Sequence, residues 1–291
     1  MRLALISDGK TGHQNQLKGL AQALAGLGAS HCQWLYPRHA GDICVLKQLT
    51  TPVDAVFGAG HRTHGLVLVA GWQMRASTVL LMKPSLPLSW FDWVIAPAHD
   101  GLADAGNVIS TEGVLNGIES GGPHLASQTL ILIGGPCKHY QWQAESLIAQ
   151  LRTLTRCAAD QQLTLLTSRR TPVGFIEVVQ HHFPNIACIA PSDAGVDVLP
   201  DLLAGAGQVW VTEDSVSMVY EALTSGAKVG VLTLQPVGKH SRVVQSMARL
   251  KARAWVTPLQ VFEQTGTLAA APGPLNEARR VAALLYDRLR G

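Results

Sequence analysis

Short apolar runs alternate with amphipathic stretches along the whole chain. Residues 3–6 (LALI), 93–97 (WVIAP) and 129–133 (TLILI) are apolar at consecutive positions, which is typical of strands buried on both faces of a sheet. Residues 15–27 instead repeat leucines three and four positions apart, as one face of a helix does. Strands and helices that alternate in this way predict parallel sheets covered on both sides. The run 66–71 (LVLVAG) fits either a strand or a helix.

A stretch without apolar periodicity interrupts this pattern near the middle of the chain. Residues 119–124 (ESGGPH) are mostly turn-forming, and a strand pattern starts again soon after them. We therefore predict an N-terminal domain at 1–122, a C-terminal domain at 123–274, and a helix at 275–291 that packs back on the N-terminal domain. The predicted fold class is α/β, with two Rossmann-like doubly wound domains and a cleft between them.

The composition is that of a globular protein with a modest positive charge. Hydrophobic residues make up 47% and charged residues 15%, which excludes a disordered chain. A net charge of +3 and few aromatic residues outside any basic run lead us to expect no nucleic-acid partner. No apolar run reaches the ~20 residues of a membrane span or the ~7–15 of a secretory signal. We expect a cytoplasmic protein without a transmembrane segment, and contact with a membrane surface stays open.

Cysteine and histidine spacings do not indicate a metal site. The five cysteines are widely spaced and form no C-x-x-C, so we expect small buried hydrophobic residues in a reducing compartment. The pairs His61/His64 and His181/His182 lack nearby carboxylates in a pattern such as H-E-x-x-H. We therefore predict no metal and no separate cofactor. The absence of G-x-S-x-G argues against serine-hydrolase chemistry.

Polar residues collect in loops that follow predicted strands. Ligands of doubly wound sheets bind beyond the carboxyl ends of the strands, which makes these loops the candidate site. They are residues 7–13, 97–101, 134–139, 168–172 and 212–217.

The segment 211–222 (VTEDSVSMVYEA) indicates a phosphate site most strongly. A strand ends, hydroxyl residues begin a helix, and the free N–H groups of such a helix start attract anions. Ser215 and Ser217 add hydroxyl donors. Glu221 follows Ser217 by one helical turn, and its carboxylate could accept hydrogen bonds from both hydroxyls of a ribose. The alternative is ordinary helix capping by Asp214 or Ser215, with Glu221 either in solvent or itself capping.

Two further loops supply candidate phosphate ligands. A glycine pair after a strand lets backbone approach a ligand, and an arginine pair after another strand fits phosphate oxygens. The alternatives are a plain turn for the glycines and solvated side chains for the arginines. The predicted ligands are Gly134, Gly135, Lys138, Ser168, Arg169 and Arg170.

The loop at residues 8–16 (DGKTGHQNQ) joins the first strand to the first helix. Asp8 and His13 are the candidate acid and base groups, because both side-chain types serve as general acids or bases in catalysis. The alternative is a structural loop histidine with Asp8 as a turn residue.

Four of these motifs together resemble the mitochondrial-fission Elm family and its bacterial relatives. Residues 212–222, 8–16, 134–139 and 168–172 fit that family in the same order, and the resemblance covers nearly the whole chain. The family name comes from a plant protein that recruits fission machinery to mitochondria. Bacterial members are often labelled nucleoside-diphosphate-sugar epimerases.

More distantly, the family is similar to glycosyltransferase-B enzymes such as the one that adds N-acetylglucosamine to the lipid-linked peptidoglycan precursor. In those enzymes an N-terminal glycine-rich loop faces acceptor and sugar, and a helix start with hydroxyls and a glutamate binds the nucleotide. The N-terminal loop here has DGKTG in place of a run of glycines. The resemblance implies an acceptor-side role for Gly9, Gly12 and His13, and a nucleotide-side role for Ser215, Ser217 and Glu221.

Our leading hypothesis is a nucleotide-sugar-dependent glycosyltransferase that binds a nucleoside diphosphate sugar in the cleft. A nucleotide-sugar epimerase on the same fold is the first alternative. The second alternative is a non-catalytic recruitment protein that binds partners through surface helices such as 275–289. The base, the sugar and the acceptor stay open.

Overall fold

Two compact units make up the chain. The computed structural model describes residues 1–102, 106–193, 195, 198–238, 241–273 and 275–289, and of His99 the backbone alone. Unit 1 comprises Met1–Gly117 and Asn276–Gly291, and unit 2 comprises Ile118–Leu275. Residue 274, at the predicted domain end, and residues 290–291 of the predicted closing helix lie outside the described residues.

Strands and helices alternate through both units. The strands are β1 (Arg2–Ser7), β2 (His31–Leu35), β3 (Ala55–Ala59), β4 (Ser77–Leu81), β5 (Trp93–Pro97), β6 (Val108–Thr111), β7 (Leu125–Ile133), β8 (Tyr140–Gln141), β9 (Gln162–Thr167), β10 (Ala187–Ile189), β11 (Ala206–Thr212), β12 (Lys228–Leu232), β13 (Gln235–Pro236) and β14 (Thr257–Pro258). The helices are α1 (Thr11–Gly26), α2 (His64–Met74), α3 (Ala144–Cys157), α4 (Phe175–His182), α5 (Val198–Gly205), α6 (Val216–Ser225), α7 (Arg242–Ala252), α8 (Leu259–Thr265) and α9 (Glu277–Arg288).

Unit 1 is built on a parallel sheet with strand order β2-β1-β3-β4-β5-β6. Successive residues of its strands enter two separate cores. Leu3 and Leu5 share one core with apolar residues of α1 and α9. Ala4 and Ile6 share the other with apolar residues of α2. This alternation places helices on both faces and confirms the predicted sheet type.

Unit 2 contains a second parallel sheet, with strand order β10-β9-β7-β11-β12-β14. Its core joins the sheet to α3, α4 and α8 around the fully buried Trp210. A Cβ at Gly230 of the neighbouring strand would lie 2.5 Å from the Trp210 ring, so the indole occupies the space that a side chain would need. The short strands β8 and β13 form a separate antiparallel pair.

The boundary between the units precedes the predicted one, which followed Gly122. Ile118 is buried, and a Cβ at Gly122 would lie 2.2 Å from the carbonyl oxygen of Ala204 in α5. Both ring nitrogens of His124 lie 2.9 Å from carbonyl oxygens, one in β11 and one at the end of α6. The turn-rich segment is thus bonded into unit 2, a set of contacts that its composition does not reveal.

Three details of the elements differ from the predictions or complete them. Helix α1 begins at Thr11 instead of residue 15, since the N–H groups of His13 and Gln14 already donate to the Lys10 carbonyl. The ambiguous run 66–71 lies in α2. Helices α7 and α8 were not predicted, although α7 has buried residues at helical spacing.

The expectation of buried cysteines was wrong. All five thiols are free, and three of them, Cys32, Cys44 and Cys157, are exposed.

Candidate functional site

The start of α6 follows the carboxyl end of β11, in the middle of the unit 2 sheet. Ser215 occupies the N-cap position, and its side chain makes no capping hydrogen bond. The Ser215 side chain therefore does not cap the helix, unlike in the alternative interpretation of this segment. The amide of Val219 is bonded to the Ser215 carbonyl, and those of residues 216–218 precede the first intrahelical bond. Ser217 is exposed at this end of the helix.

Asp214 turns away from the helix and towards two neighbouring loops. Its side chain is fully buried. Its Oδ2 accepts the N–H of Gly135 at 2.9 Å and a guanidinium N–H of Arg170 at 2.8 Å. A buried carboxylate with these two donors joins three loops at the carboxyl edge of the sheet.

The glycine pair takes part in this junction. The sequence had instead predicted that its backbone contacts a bound phosphate. The N–H of Gly134 donates to the Thr212 hydroxyl at 2.7 Å, and that of Gly135 is already committed to Asp214. A Cβ at Gly134 would lie 2.2 Å from an Asp214 oxygen, and one at Gly135 would lie 2.1 Å from the Arg170 carbonyl oxygen. Glycine is needed at both positions because a side chain would collide with the neighbouring loops. The N–H groups of both residues are bonded within the protein and leave no free hydrogen for a ligand.

Arg170 likewise has partners within the protein. Its guanidinium donates to the carbonyl oxygen of Gly135 at 2.8 Å in addition to the Asp214 carboxylate. The hydroxyl of Ser168 accepts the Arg170 N–H at 3.2 Å, so it shapes the loop. These contacts give Arg170 and Ser168 a structural role, and their phosphate role stays a prediction. The two remaining cations of these loops, Lys138 and Arg169, are exposed.

Glu221 lies one turn along α6 from Ser217, as predicted. The residue is partly buried, and this burial raises the pKa of its carboxyl group to about 7. At neutral pH the side chain is therefore divided between an acceptor-only carboxylate and a protonated form that can also donate.

The buried carboxylate of Glu213 forms an ion pair with the partly exposed Lys251, next to the same helix start. Sequence reasoning missed this pair because α7, which carries Lys251, was not predicted. Burial raises the pKa of Glu213, and the Lys251 ammonium opposes that change. The N–H of Leu234 also donates to Glu213 at 3.3 Å.

Asp8 and His13 form a pair at the carboxyl edge of the unit 1 sheet. His13 Nδ1 and Asp8 Oδ1 are 2.7 Å apart, because α1 begins early enough to place His13 in its first turn. The Asp8 side chain is 3% exposed and that of His13 is 19% exposed. An aspartate that accepts the Nδ1–H of a histidine leaves Nε2 to exchange protons, which is the arrangement of an oriented base.

Gly60 at the end of β3 closes against this pair. Its φ is +97°, and a Cβ there would lie 2.4 Å from Asp8 Oδ2 and 2.8 Å from His13 Nδ1. The buried Gln16 amide of α1 contacts the sulfur of Met82, a residue with φ of +70°. Gly60 therefore borders the acid–base pair with a backbone in the left-handed region, and Met82 adopts the same region beside Gln16; the motifs indicated neither position.

A sequence model of the family described as Mitochondrial fission ELM1 matches residues 11–289. The chain belongs to this family. The match confirms the resemblance drawn from the four motifs. The chain is also similar to the uncharacterised protein RP120 of Rickettsia prowazekii (strain Madrid E). The two are 23% identical over an alignment of 355 positions that covers 100% of this chain and 99% of the relative.

Solved structures show the fold of this ELM1-family chain. It is similar to MurG of Acinetobacter baumannii with a TM-score of 0.57 and 12% identity, covering 99% of both chains. It is also similar to the UDP-GlcNAc 2-epimerase from Neisseria meningitidis bound to UDP-GlcNAc, with a TM-score of 0.55 and 11% identity over 100% of both chains. The fold is α/β with parallel sheets, of the glycosyltransferase-B type, which confirms the predicted fold class.

The described part of the ELM1-family chain contains neither a membrane-spanning helix nor a cluster of metal-binding side chains. None of the helices described is long and apolar enough to cross a membrane. Within the same ranges, no group of three or more His, Cys, Asp or Glu residues is placed to hold a metal ion.

Proposed function

We propose that the chain binds a nucleoside diphosphate sugar and transfers the sugar to an acceptor hydroxyl. One observation carries the proposal: the start of α6 lacks a side-chain cap at Ser215, and Glu221 lies one turn further along the helix. Unbonded N–H groups at a helix start favour an anion, and a carboxylate at that distance suits a neighbouring ribose.

The proposed contacts of the nucleotide follow from the chemistry of the groups in these loops. The amides of residues 216–218 and the hydroxyls of Ser215 and Ser217 bind the diphosphate. Glu221 accepts hydrogen bonds from the ribose hydroxyls. Lys138 and Arg169 add positive charge, which stabilises the diphosphate as it leaves. Arg170 and the glycine pair hold the loops in place.

His13 is proposed as the base of the transfer step. The acceptor oxygen forms a bond to the anomeric carbon while the bond from that carbon to the diphosphate oxygen breaks. Nε2 of His13 takes the proton from the acceptor hydroxyl, and Asp8 holds the Nδ1–H and stabilises the imidazolium that results.

Thermal unfolding with a panel of nucleoside diphosphates and nucleotide sugars tests the binding step. A ligand at ~100 times its dissociation constant should add ~2.7 kcal/mol to the free energy of unfolding. Ser217→Ala should weaken that ligand and leave the unliganded Tm unchanged, because Ser217 is exposed. Ser192→Ala, at another exposed serine, is the matched control. The proposal fails if no member of the panel stabilises the parent, or if both serine variants bind alike.

A nucleotide-sugar epimerase is the second candidate. The structural similarity to an epimerase bound to UDP-GlcNAc favours it. Incubation with UDP-GlcNAc alone separates the two activities, because an epimerase forms a new sugar nucleotide without an acceptor. Proton NMR would detect that product. Binding without either reaction would favour the recruitment alternative, but not through residues 275–289, since the apolar face of α9 is buried in the unit 1 core.

A further inference from the structure

Helix α2 is apolar on both of its faces. Leu66, Val67 and Ala70 are buried against the unit 1 sheet. Gly65, Leu68, Val69 and Trp72 recur at the helical spacing of a second, outward face. Leu68 and Val69 are partly buried and also pack against the unit 1 core, whereas Trp72 is 82% exposed. A helix that is hydrophobic all round is ordinarily buried on every side, so the outward face is built to meet something outside the chain.

The chain segment that carries this face has positive charges only. Segment 55–91, which contains α2, has Arg62, Arg75 and Lys83 and no aspartate or glutamate. The two arginines are exposed at opposite ends of α2, and neither takes part in an ion pair found among the described residues. Cations beside an exposed tryptophan complement a surface that is apolar inside and negative outside.

We propose that the outward face of α2 docks on an anionic lipid bilayer. Tryptophan prefers the level of the lipid headgroups, where its ring is in an apolar medium and its N–H stays hydrated. The arginines then face lipid phosphates. With 11 residues α2 is about 16 Å long, half of the ~30 Å hydrocarbon layer, so it lies along the surface instead of crossing it.

Co-sedimentation of the full chain with vesicles tests this proposal. We expect binding to equimolar phosphatidylcholine–phosphatidylglycerol vesicles and none to phosphatidylcholine alone. Trp72→Ser should weaken binding about tenfold, since it removes the largest apolar group of the face. Replacing Arg62 and Arg75 by glutamine should weaken it about fivefold for each charge. Val173→Ser, which removes a fully exposed side chain of unit 2, should bind like the parent.

Three results would overturn the proposal. The first is a parent chain that does not sediment with the anionic vesicles. The second is a Trp72→Ser variant that binds them as tightly as the parent while both unfold at the same temperature. The third is a dimer in sedimentation velocity that Trp72→Ser dissociates without any lipid binding, which would assign the face to a second copy of the chain.

Discussion

Glu221→Gln is the substitution that examines the nucleotide site most directly. The ordinary pKa of the group is 4.5, and in the folded chain burial raises it to about 7. Between these two pH values the folded chain keeps a proton that the unfolded chain releases. This contribution to the free energy of unfolding is therefore complete below about pH 4.5, declines as the pH rises, and is gone above about pH 7.

The size of the effect follows from the two pKa values. Their difference sets an upper limit of about 3 kcal/mol, at ~1.4 kcal/mol for each pKa unit. Because the residue is only partly buried, we expect about 1–2 kcal/mol. Glutamine has no proton to lose, so the variant should lack this pH dependence.

Urea unfolding at about pH 5 and about pH 8 measures the effect. The difference in free energy of unfolding between Glu221→Gln and the parent should therefore shift by about 1–2 kcal/mol in favour of the variant from the lower to the higher pH. Glu177→Gln, at an exposed glutamate in α4, should show no such change. A difference between Glu221→Gln and the parent that is equal at both pH values would refute the burial argument.

Nucleotide binding should follow the same titration. A carboxylate that accepts both ribose hydroxyls binds more tightly than the protonated group, so the affinity of the parent for UDP-GlcNAc should rise from about pH 6 to about pH 8. Glu221→Gln should bind about tenfold more weakly at the higher pH and lose the dependence. Calorimetry that finds equal affinity for both proteins at about pH 8 would remove Glu221 from the proposed site.

Three further substitutions concern the loops and the acid–base pair. Arg170→Ala should lower the free energy of unfolding by about 2 kcal/mol because it leaves the buried Asp214 carboxylate without its cation, and Asp214→Asn in that background should recover part of the loss in urea titrations. Gly60→Ala should lower the Tm because of its positive φ and the crowded Cβ, whereas Gly65→Ala, in open helix, should raise stability by about 0.5–1 kcal/mol; a similar change for both would contradict the packing described. His124→Ala should cost about 1–2 kcal/mol because it removes the ring that contacts two carbonyl oxygens and places alanine at a positive φ, and His124→Asn, which tolerates the left-handed backbone, should cost less; equal losses in urea titrations would show that the backbone conformation contributes nothing to the cost.

The sheets could be predicted because burial leaves a local pattern. Runs such as 129–133 are apolar on consecutive positions only when both faces of a strand are covered, and β7 is such a strand. Once the strands were located, the rule that ligands bind beyond the carboxyl ends of parallel strands indicated the loops of the candidate site. Glu221 was also predictable, since its distance from Ser217 is fixed by the helix.

The partners of the loop residues could not be predicted, because they depend on strand order. Gly134 meets Thr212 since β7 lies beside β11, although the two residues are far apart in sequence. Asp214 and Arg170 meet for the same reason. In this ion pair Arg170 holds two loops together, whereas the motif had suggested that it binds a ligand. Gly60 was missed because its importance lies in a close approach that a single glycine does not signal.

The position of α9 has a consequence for synthesis of the chain. Ala278, Val281, Ala282 and Leu285 of α9 complete a core whose other buried members come from the first 117 residues. While a ribosome is still producing unit 2, the apolar surface beside α1 that α9 will cover is therefore still exposed. Unit 1 reaches its final packing only after unit 2 and α9 have been synthesised, so this apolar surface is exposed to aggregation while unit 2 is being made.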